Sequence, residues 1–199
     1  MEHIFTSIYE NNCWGNNENS KYKGSSGTGS EIDYNQDYIN FLKNWIKNNS
    51  IKSIVDLGCG DFKCGKLIYD NLPIKYTGYD TYKAIIDYHK ENNSTDKYIF
   101  KHLDFFNYKE SIESADVCIL KDVLQHWKNQ DIYEFLDYIL QSKKFKWILI
   151  CNCCGQEKDN NDIVTGDCRA LHYNMLPLKR YNPKLIFTYQ TKEMCLISN

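Results

Sequence analysis

The segment Lys121-Asp-Val-Leu-Gln-His126 brings an ammonium, a carboxylate and an imidazole close together in the chain. An imidazole with a pKa near about 6.5 can take the proton of a hydroxyl at neutral pH. His126 lies one helical turn past Asp122 if a helix begins there, so the two can pair as a base and its orienting acid. The competing reading makes His126 and Trp127 caps on the core. Two further stretches carry polar chemistry. Ile51-Lys-Ser-Ile-Val-Asp-Leu-Gly-Cys-Gly60 joins an apolar, β-branched run to two glycines, and Tyr76-Thr-Gly-Tyr-Asp80 is a β-rich run ending in an acid. Glycines directly after a strand let the backbone turn sharply and approach a ligand. An acid at the tip of the next strand can accept hydrogen bonds from both ribose hydroxyls. Asp80 can equally cap the helix expected from Thr81 onward. Gly58-x-Gly60 is followed by Asp61-Phe62-Lys63, so the third glycine of a dinucleotide fingerprint is missing, which argues against a pyrophosphate, since that group needs several free backbone N–H groups.

These residues need a scaffold, and the hydrophobic pattern supplies one. Residues 51–57 read as a buried parallel strand, and 63–71 has helical spacing that Pro73 ends. Upstream, Tyr34, Tyr38, Ile39, Phe41, Leu42, Trp45 and Ile46 share one face of a helix over 31–48, with Ser30 as its N-cap and Asp33 in its first turn. Downstream, 82–89 reads as a helix, 97–103 as a third strand ending in Asp104-Phe105, and 115–120 as a strongly apolar fourth strand. Residues 131–140 form an amphipathic helix and 145–150 a fifth strand, while 152–183 is mostly loop with one short helical turn. Two β-rich runs, 185–189 and 194–197, flank Gln190-Thr-Lys-Glu193 as a terminal hairpin. The alternation predicts an α/β fold: a doubly wound, mostly parallel seven-stranded sheet with a terminal antiparallel β-hairpin and helices on both faces. Such a sheet binds ligands beyond the carboxyl ends of its strands. Gly58 and Gly60, Asp80, Asp104 and the 121–126 segment all fall at strand ends.

A chain of 199 residues suits one domain with a substantial core, and 42% hydrophobic with 15% aromatic residues excludes a disordered chain. The net charge of −2 gives no overall positive field for nucleic acid. No cationic start with an apolar run marks a signal peptide, and no stretch has the length of a membrane span. Nine cysteines, an odd and scattered set, suit a reducing, cytoplasmic setting better than a disulfide framework. Cys151-Asn-Cys-Cys154 lacks a second Cys/His pair, so no metal site is expected. Arg169, in the long loop, can grip an anionic group bidentately or pair with Asp162 or Asp167. His172 and Tyr173 share that ambiguity. Residues 1–30 are glycine-rich like a flexible leader, yet Ile4, Phe5, Ile8, Tyr9, Cys13 and Trp14 are too apolar for a solvated tail. They read as an ordered lid over a domain spanning 31–199.

The glycine turn resembles motif I of the class I S-adenosylmethionine-dependent methyltransferases. The chain is most similar to a group of small members with three shared features, here Trp14-Gly15 with Ser26-Gly-Thr-Gly-Ser30, Cys59-Gly-Asp-Phe62, and Lys121-Asp-Val-Leu-Gln-His126. The resemblance implies S-adenosylmethionine as cofactor. Asp56 would hold its ammonium, Gly58, Gly60 and Lys121 would surround its tail, Asp80 its ribose, and Asp104 and Phe105 its adenine. It implies His126 and Asp122 as the catalytic pair and Trp14 and Arg169 as substrate contacts. The expected activity is methylation of an oxygen on a small polar acceptor, such as a sugar or sugar nucleotide. The alternatives are an RNA-cap or protein methyltransferase and a silent cofactor-binding regulator. Nucleic acid is disfavoured by the charge and by the lack of an Asn/Asp-Pro-Pro-aromatic segment after the fourth strand. Nicotinamide is disfavoured by the missing third glycine and the hairpin. Oligomeric state is left open.

Overall fold

The computed structural model of the chain describes residues 1–17, 21–155 and 161–198. Residues 18–20 of the leader and 156–160 of the expected loop lie outside the described residues. The strands are β1 (Ser53–Leu57), β2 (Lys75–Asp80), β3 (Tyr98–His102), β4 (Ala115–Lys121), β5 (Phe145–Cys153), β6 (Lys184–Tyr189) and β7 (Lys192–Ser198). They form one seven-stranded sheet in the order β3-β2-β1-β4-β5-β7-β6. β1 to β5 pair in parallel, and β7 runs antiparallel between β5 and β6. The order reverses between β1 and β4, where an open α/β sheet leaves a crevice.

The helices are α1 (Glu2–Glu10), α2 (Gln36–Asn48), α3 (Gly65–Tyr69), α4 (Lys83–Asn92) and α5 (Asn129–Ser142). Leu42, Ile46, Ile68, Ile85 and Ile86 from α2, α3 and α4 pack with Ile54, Tyr76 and Phe100 on one face of the sheet. Ile132, Phe135, Leu136 and Ile139 of α5 pack with Val55, Leu57, Leu120 and Ile148 on the other. Cover on both faces is why the central strands read as continuous apolar runs and not as alternating ones.

Two local expectations change. The helix read over 31–48 begins only at Gln36, after a 3₁₀ turn at Asp33–Asn35. Ser30 does not cap it, because Ser30 Oγ lies 2.9 Å from Asp61 Oδ2. The Asn35 amide turns back to the carbonyls of Gly29 and Glu31 at 2.8 and 2.7 Å. α1 lies inside the stretch read as an ordered lid, and only its Tyr9 is buried. Finally, β7 starts two residues earlier than the sequence suggests, so Lys192 is a strand residue paired with Cys153 and Tyr189. Among the described residues, no helix is long and apolar enough to cross a membrane.

Candidate active site

A cavity of about 410 Å³ opens at the carboxyl ends of β1, β2 and β4, the position that the strand reversal predicts. Gly58 and Gly60 form its floor. Gly58 has φ +83°, and a Cβ there would stand 2.6 Å from Val123 Cγ2. Gly60 has φ +52°, and its Cβ would meet Ser26 Oγ at 2.4 Å. Only glycine fits both positions. Asp80 is buried beside them. Its Oδ2 accepts the Gly60 N–H at 2.9 Å and its Oδ1 the Tyr82 N–H at 3.0 Å. Burial pushes its carboxyl up, and these backbone donors pull it back. Each oxygen keeps a further lone pair, so ribose hydroxyls can still bind.

Asp56 also lines the cavity and accepts the Tyr76 hydroxyl at 2.8 Å. Burial raises its pKa to about 6 against the pull of Tyr76 and Lys121. The rings of Phe105 and Trp127, both on the wall, lie 6.0 Å apart and tilted by 28°. Trp127 Nε1 and Thr81 Oγ1 are buried on this wall without a partner among the described residues. Asp104 is turned elsewhere. It accepts hydrogen bonds from the Met1 amino group at 2.9 Å, the Glu2 N–H at 3.0 Å and the Asn107 amide at 2.7 Å. It is not part of the cavity wall, so an adenine amino group would have to compete with these donors.

The same cavity is lined by Lys121, Asp122 and His126, but not as the expected pair. Asp122 has φ +59°, and its side chain points between two ammonium groups. Lys121 Nζ donates to Asp122 Oδ2 at 2.6 Å and to the Gly29 carbonyl at 2.7 Å. Lys192 Nζ donates to Asp122 Oδ1. Burial alone would raise the Asp122 carboxyl, but the two lysines hold it below the usual range. His126 is oriented from behind. Its Nδ1 lies 2.8 Å from the Asp167 carbonyl and therefore carries the proton. Nε2, left as the lone-pair nitrogen, faces the Gln125 amide nitrogen at 3.4 Å. Gln125 Oε1 accepts the Cys153 N–H at 2.7 Å, which fixes the amide with its NH₂ toward the imidazole. Burial keeps the His126 pKa below its ordinary value. A buried imidazole that is neutral at pH 7, with a defined tautomer, can act as a base. The helix that would have put Asp122 and His126 on one face is absent, since only a 3₁₀ turn at Leu124–His126 follows β4.

The N-terminal segment completes the wall. Tyr9 stacks on Tyr82 with centroids 4.6 Å apart, and its hydroxyl lies 2.9 Å from Ser26 Oγ. Ser26 Oγ also accepts the Asp61 N–H at 2.9 Å. Trp14 lies against His126 with centroids 4.9 Å apart. Arg169 does not line the cavity. Its guanidinium is buried, donating from Nη2 to the Trp127 carbonyl at 2.9 Å and from Nη1 to the Asn161 carbonyl. It therefore fastens the 161–169 stretch, which carries Asp167, behind His126. Sequence reasoning missed Tyr9, Ser26, Gln125 and Lys192. For Ser26 the signal was present in the Ser-Gly-x-Gly-Ser spacing. Lys192 carried none, because a lysine between two β-rich runs reads as a solvated turn.

The fit to S-adenosylmethionine rests on this geometry: a glycine floor with no room for side chains, acids beneath it, an aromatic pair at one edge and two orphaned polar atoms on the wall. Fold and cavity together define a Rossmann-like, S-adenosylmethionine-dependent methyltransferase. The chain matches the methyltransferase domain family over residues 48–193 and belongs to it. Compared by sequence with curated proteins, it matches none. Among solved structures it resembles the methyltransferase domain of bacterial CtHen1-CN, with a TM-score of 0.64 and 12% identity over 83% of this chain and 100% of that one. It also resembles human N-acetylserotonin methyltransferase in complex with SAM, with a TM-score of 0.63 and 19% identity over 100% of this chain and 59% of that one. A third is mitomycin 7-O-methyltransferase MmcR, with a TM-score of 0.59 and 14% identity over 81% and 54%. The chain thus spans the whole of the first and little more than half of the other two.

Proposed function

We propose that this methyltransferase acts on a hydroxyl of a small polar acceptor, with a sugar or sugar nucleotide as the leading class, and that His126 is the base. The observation that carries this reading is the tautomer of His126: Nδ1–H is committed to the Asp167 carbonyl, and Nε2 on the cavity wall keeps its lone pair, met only by a long 3.4 Å contact from the Gln125 amide that an acceptor hydroxyl would displace. Bound S-adenosylmethionine supplies a methyl group on a sulfonium. With it bound, His126 Nε2 would take the hydroxyl proton as the acceptor oxygen receives the methyl, the C–S bonding pair being left on sulfur. Alignment of the reactants supplies most of the acceleration. Asp56, Asp80, Gly58, Gly60 and Lys121 hold the cofactor. Trp14 offers the acceptor a flat face, and residues 1–30 act as the lid that excludes water. The names of two similar structures, mitomycin 7-O-methyltransferase and N-acetylserotonin methyltransferase, support a small-molecule acceptor.

A panel of sugars, sugar nucleotides and phenols, read by S-adenosylhomocysteine release, tests this. His126→Ala should bind S-adenosylhomocysteine as wild type does and lose on the order of 10²–10⁴ in turnover. Parallel loss of binding and turnover would make His126 structural. Tight cofactor binding without turnover on any acceptor would favour the silent regulator.

A further inference from the structure

Two other lysines that fold back on the chain, Lys97 and Lys144, have their ammonium groups met by several oxygens. Lys97 Nζ donates to the carbonyls of Tyr69, Asp70 and Leu72 at 2.5, 2.8 and 2.7 Å. Lys144 Nζ donates to those of Glu110 and Ile112, both at 2.6 Å. Lys192 is buried more deeply, with 2% of its side chain exposed. Among the described residues it has one oxygen partner, Asp122 Oδ1, and a thiol sulfur, Cys153 Sγ, at 3.4 Å. The Tyr34 ring lies 5.8 Å away. A thiol is a weak acceptor, and an ammonium carries three donors. Burying it so poorly partnered is costly, and an apolar residue of similar volume would do as well for packing. Nor does Asp122 require it, because Lys121 already supplies that carboxylate with an ammonium at 2.6 Å. Lys192 lines the same cavity as His126, Gln125 and Cys153.

We propose that Lys192 anchors an anionic oxygen of the methyl acceptor, a carboxylate or a phosphate, and so selects acceptors that carry one. Its place in the sheet argues for the acceptor over the cofactor's own carboxylate. β7 stands beyond β4 and β5 from β1, so the Lys192 backbone is roughly 14 Å from the β1 axis at ~4.8 Å per strand, and its ammonium reaches back to Asp122 and Cys153 at the tips of β4 and β5. The anchor holds the acceptor on the Trp14 and His126 side of the cavity, with Asp122 fixing the lysine's direction. It deepens the hydroxyl-methylation reading, in that a hydroxylated acid or a sugar phosphate would place its anionic group on Lys192 and its hydroxyl at His126 Nε2.

The full chain saturated with S-adenosylhomocysteine is titrated with sodium acetate, inorganic phosphate and neutral acetamide at constant ionic strength, followed by amide NMR shifts. At least one oxyanion should shift the resonances around Cys153 and Lys192 saturably, and acetamide should not. Lys192→Met should weaken that binding about tenfold or more, the loss of one charge-assisted hydrogen bond, and Lys192→Arg should retain it. If Lys192→Met does not fold, the pair Lys192→Met with Asp122→Asn removes both charges and should show the same loss. Oxyanion shifts that match acetamide, or that survive in the methionine variants, overturn the proposal. A second arm compares S-adenosylhomocysteine with 5′-methylthioadenosine, which lacks the amino-acid tail. If Lys192→Met weakens the former alone, the oxygen belongs to the cofactor and the acceptor assignment falls. Oxyanion binding should persist in His126→Ala, so failure of the anchor and failure of the base are told apart.

Discussion

Asp122→Asn isolates the charge at the centre of the site. Asparagine tolerates the left-handed backbone at φ +59° as well as aspartate does, and its volume is nearly the same, so packing and conformation are unchanged. What changes is that Lys121 and Lys192, both drawn to one carboxylate, become two ammonium groups facing a neutral amide. Removing one partner of a fully buried ion pair costs about 3–5 kcal/mol. The Asp122 side chain is 20% exposed to the cavity, which lowers the expected cost to about 2–4 kcal/mol. For a chain of this size that is a drop in Tm on the order of 10 °C. The pH dependence has a definite sign. The folded carboxyl titrates below the unfolded one, so its stabilisation is complete above about pH 4 and is lost as the pH falls through the folded value. The gap between wild type and variant should therefore be constant from pH 8 to 5 and close in acid. Thermal unfolding across that range measures it. Adding Lys192→Met should restore part of the loss, because the more deeply buried of the two uncompensated charges is gone. An Asn variant as stable as wild type, or a double variant no better than the single one, would refute the claim that the carboxylate bridges two buried ammoniums.

Burial holds the Asp56 pKa at about 6, above its unfolded value. Its charge therefore destabilises the fold above pH 6, and Asp56→Asn should gain up to about 2–3 kcal/mol at pH 7–8, a gain that vanishes below about pH 4. In the wild type, S-adenosylhomocysteine affinity by calorimetry should fall as the pH drops through 6, and a flat profile would remove Asp56 from the cofactor site. Gly58→Ala should lose about 1–2 kcal/mol from its φ of +83° alone and more from the overlap with Val123 Cγ2. Val123→Ala should recover only the second part, whereas strict additivity in denaturant melts would contradict the contact. Arg169→Lys forfeits the hydrogen bond to the Trp127 carbonyl and should cost about 1.5–3 kcal/mol with unchanged cofactor affinity. Weaker binding at unchanged Tm would restore Arg169 to the ligand.

How far the site is legible depends on the range over which each residue's role is set. The places of Gly58, Gly60 and Asp80 on the cavity wall are set locally, since each sits at the tip of a strand whose apolar run announces it, so spacing alone puts them there. His126 lies in the same kind of place, but its orienting partner is a backbone carbonyl at Asp167, and a carbonyl leaves no mark in residue types. Arg169 reads as a ligand-binding cation until the fold shows its guanidinium filled by the Trp127 and Asn161 carbonyls.

The apolar periodicity, the glycine pair and the acids after successive strands determined the sheet, the order of its elements and the end at which the cavity opens, because period and turn chemistry act between neighbours in the chain. Only the tertiary structure decided the wall around Asp122 and His126. There β7 slides antiparallel between β5 and β6 and carries Lys192 from an apparent turn into the wall beside Asp122. The N-terminal Tyr9, Trp14 and Ser26 fold over residues far along the chain. A charge's effect is set by its depth and its partners, and those depend on which distant strands meet.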